Sequence, residues 1–224
     1  PALSTMAATS ASHGSLHASA TSRPARIGPN SLIQTREVVR LYQGLSTWEI
    51  LGAEAGLPAE LPETMVDERL FRRLVEALVD LLGTESANRV LTRSGERTAD
   101  YVRRNRIPAP VRVLLRLLPR GMATRLLLRS ISRHAWTFVG SGRMEHDPDT
   151  IVIHDCPTCR DVPAEHPMGG FYVGAFQGLL QSLADPRIRV TETRCIARGA
   201  PACVFELHPS SPTVARSGAD NPPG

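Results

Sequence analysis

The sequence predicts an α+β fold in which a helical N-terminal half packs on a small antiparallel sheet. Apolar residues recur at helical spacing through the first two thirds of the chain. Strand-like runs gather in the last third, in the order β-β-α-β-β. No repeat of fixed period is visible, and 224 residues suit one core, since a single core serves up to roughly 250 residues.

Residues 1–29 are rich in Ser, Ala and Thr with little to bury, so a flexible leader is expected there; a single domain is expected over 30–207 and a flexible tail over 208–224. The run "SLIQTREVVRLYQGLSTWEIL" places Val38, Leu41, Leu45 and Trp48 at helical spacing. Thr64 and Asp67 form a start signal for a helix whose face carries Val66, Leu70, Leu74, Leu78 and Leu81, and Gly83 supplies its stop. "ESANRVLTRSGERTADYVRRN" is a further helix, punctuated by Pro108 and Pro110. Two short helices broken at Pro119 and Gly121 follow, with Arg112 and Arg116 on the first and Arg125, Arg129 and Arg133 on the second. Each set recurs every fourth residue and forms a stripe. "AWTFVGSGRMEH" and "TIVIH" are predicted as strands around a D-P-D turn. "HPMGGFYVGAFQGLLQSLAD" is a helix, and "RIRVTETRCIAR" and "ACVFEL" form a hairpin around Gly199.

All 26 basic residues are arginine and the net charge is +4. That balance admits nucleic acid, an anionic membrane or a carboxylate-bearing ligand. The arginine stripes on aliphatic helices read either as a solvated face or as a docking surface for a membrane or an apolar acidic ligand. No charge-free run reaches about 18 apolar residues, so a spanning helix is not expected, nor is a secretory signal evident. The expected location is the cytoplasm, with membrane association at the periphery of the bilayer left open.

All four cysteines fall between His154 and Phe205, two as C-x2-C (Cys156, Cys159) and two within E-x2-C-x7-C (Glu192, Cys195, Cys203). Four sulfurs close in sequence suit a tetrahedral structural zinc site, one chain turn offering the first pair and opposite arms of a hairpin the second. An iron-sulfur cluster uses the same four ligands. A redox C-x-x-C belongs at a helix start, whereas Pro157 and Pro163 surround this one; four unrelated thiols are the bland alternative. Residues three apart on a regular strand face opposite ways, so Glu192 and Cys195 share an ion only across a bulge or strand end. His154 and His166 flank the first pair as metal-site or solvated residues.

"VTETRCIARGAPACVFEL", the G-x3-G helix "GFYVGAFQGLL", "SRHAWTFVGSGRM" and the "HDCPTCR" insert together resemble the 4-vinyl reductase domain family, in its bacteriochlorophyll-biosynthesis branch, over roughly Ser31 to Leu207. The resemblance implies a ligand-binding fold similar to NO-signalling and Golgi-transport proteins. Sensor relatives hold zinc by an earlier Cys followed by E-x2-C-x7-C; that earlier position falls near Gly169, which has no thiol here. Cys156 and Cys159 are the natural replacements. A four-cysteine set with Cys195 and Cys203 is favoured over one that includes Glu192.

The resemblance further implies a role in bacteriochlorophyll biosynthesis, and the leading expectation is binding of a magnesium porphyrin or divinyl protochlorophyllide as carrier or assembly factor. The alternative is reduction of the C8 vinyl group, although no G-x-G-x-x-G follows a strand and no nucleotide motif is seen. A small-molecule sensor module is the third reading. His134 beside Trp136 and Phe138 is the candidate axial ligand for magnesium, and Arg125, Arg129 and Arg133 are the candidates for the propionates. Expected partners are the tetrapyrrole and pathway enzymes such as magnesium chelatase or the following methyltransferase. A homodimer is also compatible with this reading, and nucleic acid is not expected.

Overall fold

The computed structural model describes residues 25–208. Helices fill the first part: α1 (Asn30–Tyr42), α2 (Leu45–Glu54), α3 (Glu68–Leu82), α4 (Thr84–Asn105), α5 (Ala109–Leu117) and α6 (Arg120–Arg133). A two-stranded ribbon, β1 (Arg26–Ile27) with β2 (Val66–Asp67), ties the chain entry to the start of α3. A short helix α7 (Trp136–Val139) leads into the main sheet of β3 (Arg143–His146), β4 (Thr150–His154), β5 (Arg189–Arg194) and β6 (Cys203–His208). α8 (Gly170–Leu183) lies between β4 and β5 in sequence. Every pair in the main sheet is antiparallel, in the order β3-β4-β6-β5. The α+β class and the β-β-α-β-β order of the last third are therefore as expected.

Local chemistry explains several boundaries. Asp67 caps α3, its Oδ1 accepting the Arg69 N–H at 2.9 Å, so the cap is Asp67 and not Thr64. Gly83 ends α3 with φ 76°, a conformation that suits glycine. Gly44, at φ 95°, breaks the first predicted helix into α1 and α2 and rotates its periodicity. Val38 is consequently buried while Leu41 and Leu45 face solvent. In α3 the inward face is Phe71, Leu74, Val75 and Leu78, and Leu81 is exposed.

Two more expectations need correcting. "AWTFV" is not strand: His134 O accepts the Thr137 N–H and Ala135 O accepts those of Phe138 and Val139, so the segment coils, and β3 begins only at Arg143. The leader expected over 1–29 overlaps β1, whose Ile27 is in the core. Residues 1–24 and the tail from 209 onward lie outside the described residues.

The core sits between α8 and the inward face of the sheet. Ile151, Ile153, Cys203, Phe205 and Leu207 alternate inward along β4 and β6. Tyr172 and Phe176 of α8 pack on Phe205 with ring centroids 6.1 and 5.7 Å apart. On its other side α8 lies directly on α4. A Cβ at Gly174 would collide with the Thr92 carbonyl, and one at Gly95 with the Phe171 carbonyl. The G-x3-G spacing is thus a requirement for backbone-to-backbone helix crossing, and this crossing sets where the N-terminus of α8 meets the cysteine loops.

Candidate metal centre

β4 delivers the first cysteine pair. After His154 the chain turns through Asp155 (φ 52°), and Cys156 O accepts the N–H groups of Cys159 at 3.1 Å and Arg160 at 2.9 Å. This closed turn is not a helix start, so the context of a redox pair is missing. It brings the Cys156 and Cys159 sulfurs to 3.5 Å.

The β5–β6 connection delivers the second pair. A register shift falls between Glu192 and Arg194, and Cys195 lies just past the strand, at the start of a single 3-10 turn (Ile196–Arg198). The bulge and strand end together let Glu192 and Cys195 face the same point. Gly199, at φ 84°, turns the chain toward β6, whose first residue is Cys203, paired with Ile153. Cys195 Sγ is 3.5 Å from Cys159 Sγ, and the donor atoms of Cys159, Glu192, Cys195 and Cys203 all lie within 4.8 Å of one another.

All four cysteines are buried and free. Separations of 3.5 Å rule out disulfides, which need about 2.05 Å, and approach the edge of about 3.8 Å of a sulfur tetrahedron built with 2.3 Å zinc–sulfur bonds. Main-chain N–H groups point at the sulfurs, Met168 to Cys195 at 3.3 Å and Ile196 to Cys203 at 3.4 Å, as outer-shell donors do in thiolate metal sites. Hydrogen bonds from Cys159 and Cys203 pull the Cys195 thiol down to about 2. Burial opposes a thiolate at Cys156, but hydrogen bonds from Cys159, Cys203 and Thr158 outweigh it and its pKa falls well below the usual thiol value. The Cys159 thiol, hydrogen-bonded to Cys156, is pushed up. The donor set therefore concentrates negative charge in a dry place, and Arg160, next in sequence to Cys159, directs its guanidinium to Glu68 and Ser141 instead. A soft divalent cation such as zinc fits that set by charge, donor type and spacing.

Glu192 touches the centre from the side of α8. Its Oε2 accepts the Gly169 N–H at 2.7 Å, and its Oε1 is 4.0 Å from Cys159 Sγ. Burial, then the charge on Cys195, raises its pKa to about 9 against the pull of that N–H. A Cβ at Gly169 would lie 2.6 Å from the Glu192 carboxylate, so position 169 borders the centre and the carboxylate takes the space a side chain there would need. His154 lies 3.6 Å from Glu145, and His166 lines a cavity of about 240 Å³ with Asn88 and Glu192; neither histidine is among the grouped donors.

Sequence reasoning missed Glu68. It is 5% exposed at the first turn of α3 and accepts hydrogen bonds from Ser141 N and Oγ, both at 2.7 Å, and from Arg160 Nη2 at 2.8 Å. It thereby fastens the cysteine turn to the helical half. Its only sequence signal is an acidic residue at a helix N-terminus, which is commonplace.

The expected ligand residues divide. A second cleft, of about 280 Å³, lies between α5 and α6 and is lined by Leu115, Leu126, Leu127, Arg129, Arg133 and His134, among others. Arg125 is not in its lining, and Trp136 is exposed on α7. Phe138 packs against Tyr172 and Phe176 at 6.4 and 6.1 Å, and its carbonyl accepts the Tyr172 hydroxyl, so it serves the core. His134 Nδ1 is 2.8 Å from the Ser130 carbonyl. A carbonyl only accepts, so Nδ1 carries the hydrogen, and in the neutral ring Nε2 keeps its lone pair.

Residues 149–209 match the model of the 4-vinyl reductase domain, a span containing all four cysteines and Glu192. The chain is 36% identical over 194 residues to the bacteriochlorophyll synthase 23 kDa chain of Rhodobacter capsulatus, covering 85% of this chain and 90% of that one. The protein of the same name from Cereibacter sphaeroides is also 36% identical, over 188 residues, covering 82% and 91%. Among solved structures, the Fe(II) unliganded H-NOX protein from K. algicida matches with a TM-score of 0.53 at 12% identity, covering 84% of this chain and 98% of that one. At that identity the likeness is one of fold, and it agrees with the expected NO-signalling type.

Proposed function

Since the chain belongs to the family of the bacteriochlorophyll synthase 23 kDa chain and carries a 4-vinyl reductase domain, we propose that it serves bacteriochlorophyll biosynthesis by binding a tetrapyrrole intermediate as carrier or assembly factor. The ligand is a magnesium porphyrin or divinyl protochlorophyllide. The observation that carries this reading is the α5–α6 cleft, where the free Nε2 of His134 stands beside two arginines and an apolar wall. In that cleft His134 is the axial ligand, and Arg129 and Arg133 pair with the propionates. At about 280 Å³ the cleft is just below the usual range of about 300–1,000 Å³ for ligand sites, so it grips one edge of a macrocycle. The other edge stays open to a receiving pathway enzyme such as magnesium chelatase or the methyltransferase that follows, or to a second copy in a homodimer.

The cysteine centre has a structural role in this reading. Cys156, Cys159, Cys195 and Cys203 hold a zinc ion that joins the β4 turn to the β5–β6 connection. Glu192, held by the Gly169 N–H, borders the ion without binding it.

Reduction of the C8 vinyl group is the second reading, favoured by the resemblance to 4-vinyl reductases. Titrating the protein with magnesium protoporphyrin and with divinyl protochlorophyllide, with and without NADPH, separates the two. Saturable spectral change, weakened on the order of tenfold by His134→Ala for the magnesium porphyrin but not for metal-free protoporphyrin, supports the carrier. NADPH-dependent loss of the vinyl signature transfers the assignment to the reductase, and absence of saturable binding removes both.

A further inference from the structure

The hairpin of α5 and α6 leaves an unusual amount of apolar surface open. α5 buries only Leu115. At about 100° per residue, Val113 and Leu117 leave the helix on the side opposite Leu115, and Leu117 is 78% exposed. Beyond Pro119, Met122 is 57% exposed and begins a stripe on α6 that continues through Leu126, Arg129 and Arg133, spaced by four, three and four residues. The hairpin tip is thus greasy, and the stripe turns cationic away from it.

The charge around this surface has one sign. No Asp or Glu occurs between Asp100 and Glu145, whereas nine arginines lie between Asp100 and Trp136. Some are anchored internally: Arg112 donates to the Arg103 carbonyl at 2.8 Å and Arg116 to that of Ser182 at 3.3 Å. Arg120 is 3.9 Å from Asp185. Arg125, Arg129 and Arg133 are exposed and have no carboxylate partner among the described residues. Exposed aliphatic side chains at a tip, flanked by unpaired arginines with no acid between them, complement acyl chains beneath anionic headgroups. No helix among the described residues is long and apolar enough to cross a bilayer, so the contact is peripheral.

We propose that the α5–α6 hairpin docks on an anionic phospholipid surface. Val113, Leu114, Leu117 and Met122 enter the headgroup boundary, and Arg125, with the arginines above it, meets the phosphates. The inference does not depend on the pigment-binding reading, since the tip residues do not line the His134 cleft.

The test is co-sedimentation of the full chain with phosphatidylcholine vesicles, with and without phosphatidylglycerol, at low and high salt. Binding to the anionic vesicles is expected to weaken with salt and to be absent on phosphatidylcholine alone. Leu117→Asp and Met122→Asp each lower it on the order of tenfold, with unchanged circular dichroism and unchanged pigment titration in vesicle-free buffer. Arg125→Glu lowers binding to anionic vesicles and raises it on vesicles carrying a cationic lipid. Failure to sediment with phosphatidylglycerol vesicles overturns the proposal, and so does binding that survives both tip variants. Self-association that the tip variants abolish, without vesicle binding, reassigns the surface to contact between copies.

Discussion

Replacing Glu68 with alanine tests how the two halves of the molecule are joined. The carboxylate is buried at the first turn of α3 and accepts hydrogen bonds from Ser141 N, Ser141 Oγ and the Arg160 guanidinium. Bonds to a charged group contribute about 1.5–3 kcal/mol each, but Ser141 and Arg160, a quarter exposed, regain some water when the partner is lost. Removing one member of such a buried pair costs about 3–5 kcal/mol. At about 2–4 °C per kcal/mol for a chain of this size, Tm falls by roughly 6–20 °C. Arg160 follows Cys159, so the cysteine turn loosens too, and metal release to a chelator accelerates. Thermal melts and chelator-challenged release rates are the assays, run on Glu68→Ala, Arg160→Ala and the double variant. A strictly additive double variant, or a Glu68→Ala Tm within about 2 °C of the parent, would refute the coupling.

Cys203→Ser is expected to lower bound metal, read by elemental analysis, and thermal stability together; unchanged values for both would remove the structural role of the centre. Glu192→Gln is expected to leave metal content intact, and loss of the metal would instead make the carboxylate a ligand. For Asp67, its side-chain hydrogen bond from Arg69 holds the carboxyl below its usual value. Its stabilising contribution is therefore present above the unfolded-state value near 3.9 and is lost as pH falls through the lower folded-state value. The pair is largely exposed, so Asp67→Asn costs about 1 kcal/mol or less at neutral pH and flattens the acid limb of the stability curve, read from denaturant midpoints below about pH 4.

How far the sequence could be read depended on whether the signal was local. The 3.6-residue period found α3, α4 and α6 because a buried stripe imposes it. The first stripe failed at Gly44, where a single positive φ changed the helix phase. Strand character in "AWTFV" came from aromatic and β-branched residues, which here coil into α7 and direct Phe138 into the core. The metal donors were legible because their types and spacings are restrictive, and the need for a bulge between Glu192 and Cys195 was deducible from strand alternation alone. Glu68 was not legible, because its partners are 73 and 92 residues away.

The sequence by itself determined the α+β class, the order of the C-terminal elements, the restriction of all four sulfurs to one segment, and the acid-free arginine stretch. Each is written in neighbouring residues. Only the tertiary structure decided that the two cysteine pairs converge, that Glu68 clasps their turn, that His134 and two of its three arginines line one cleft while Phe138 does not, and that the α5 apolar face is uncovered. Those outcomes depend on how α4 and α8 cross and on which strands pair, and contacts made between distant segments leave no period in the chain.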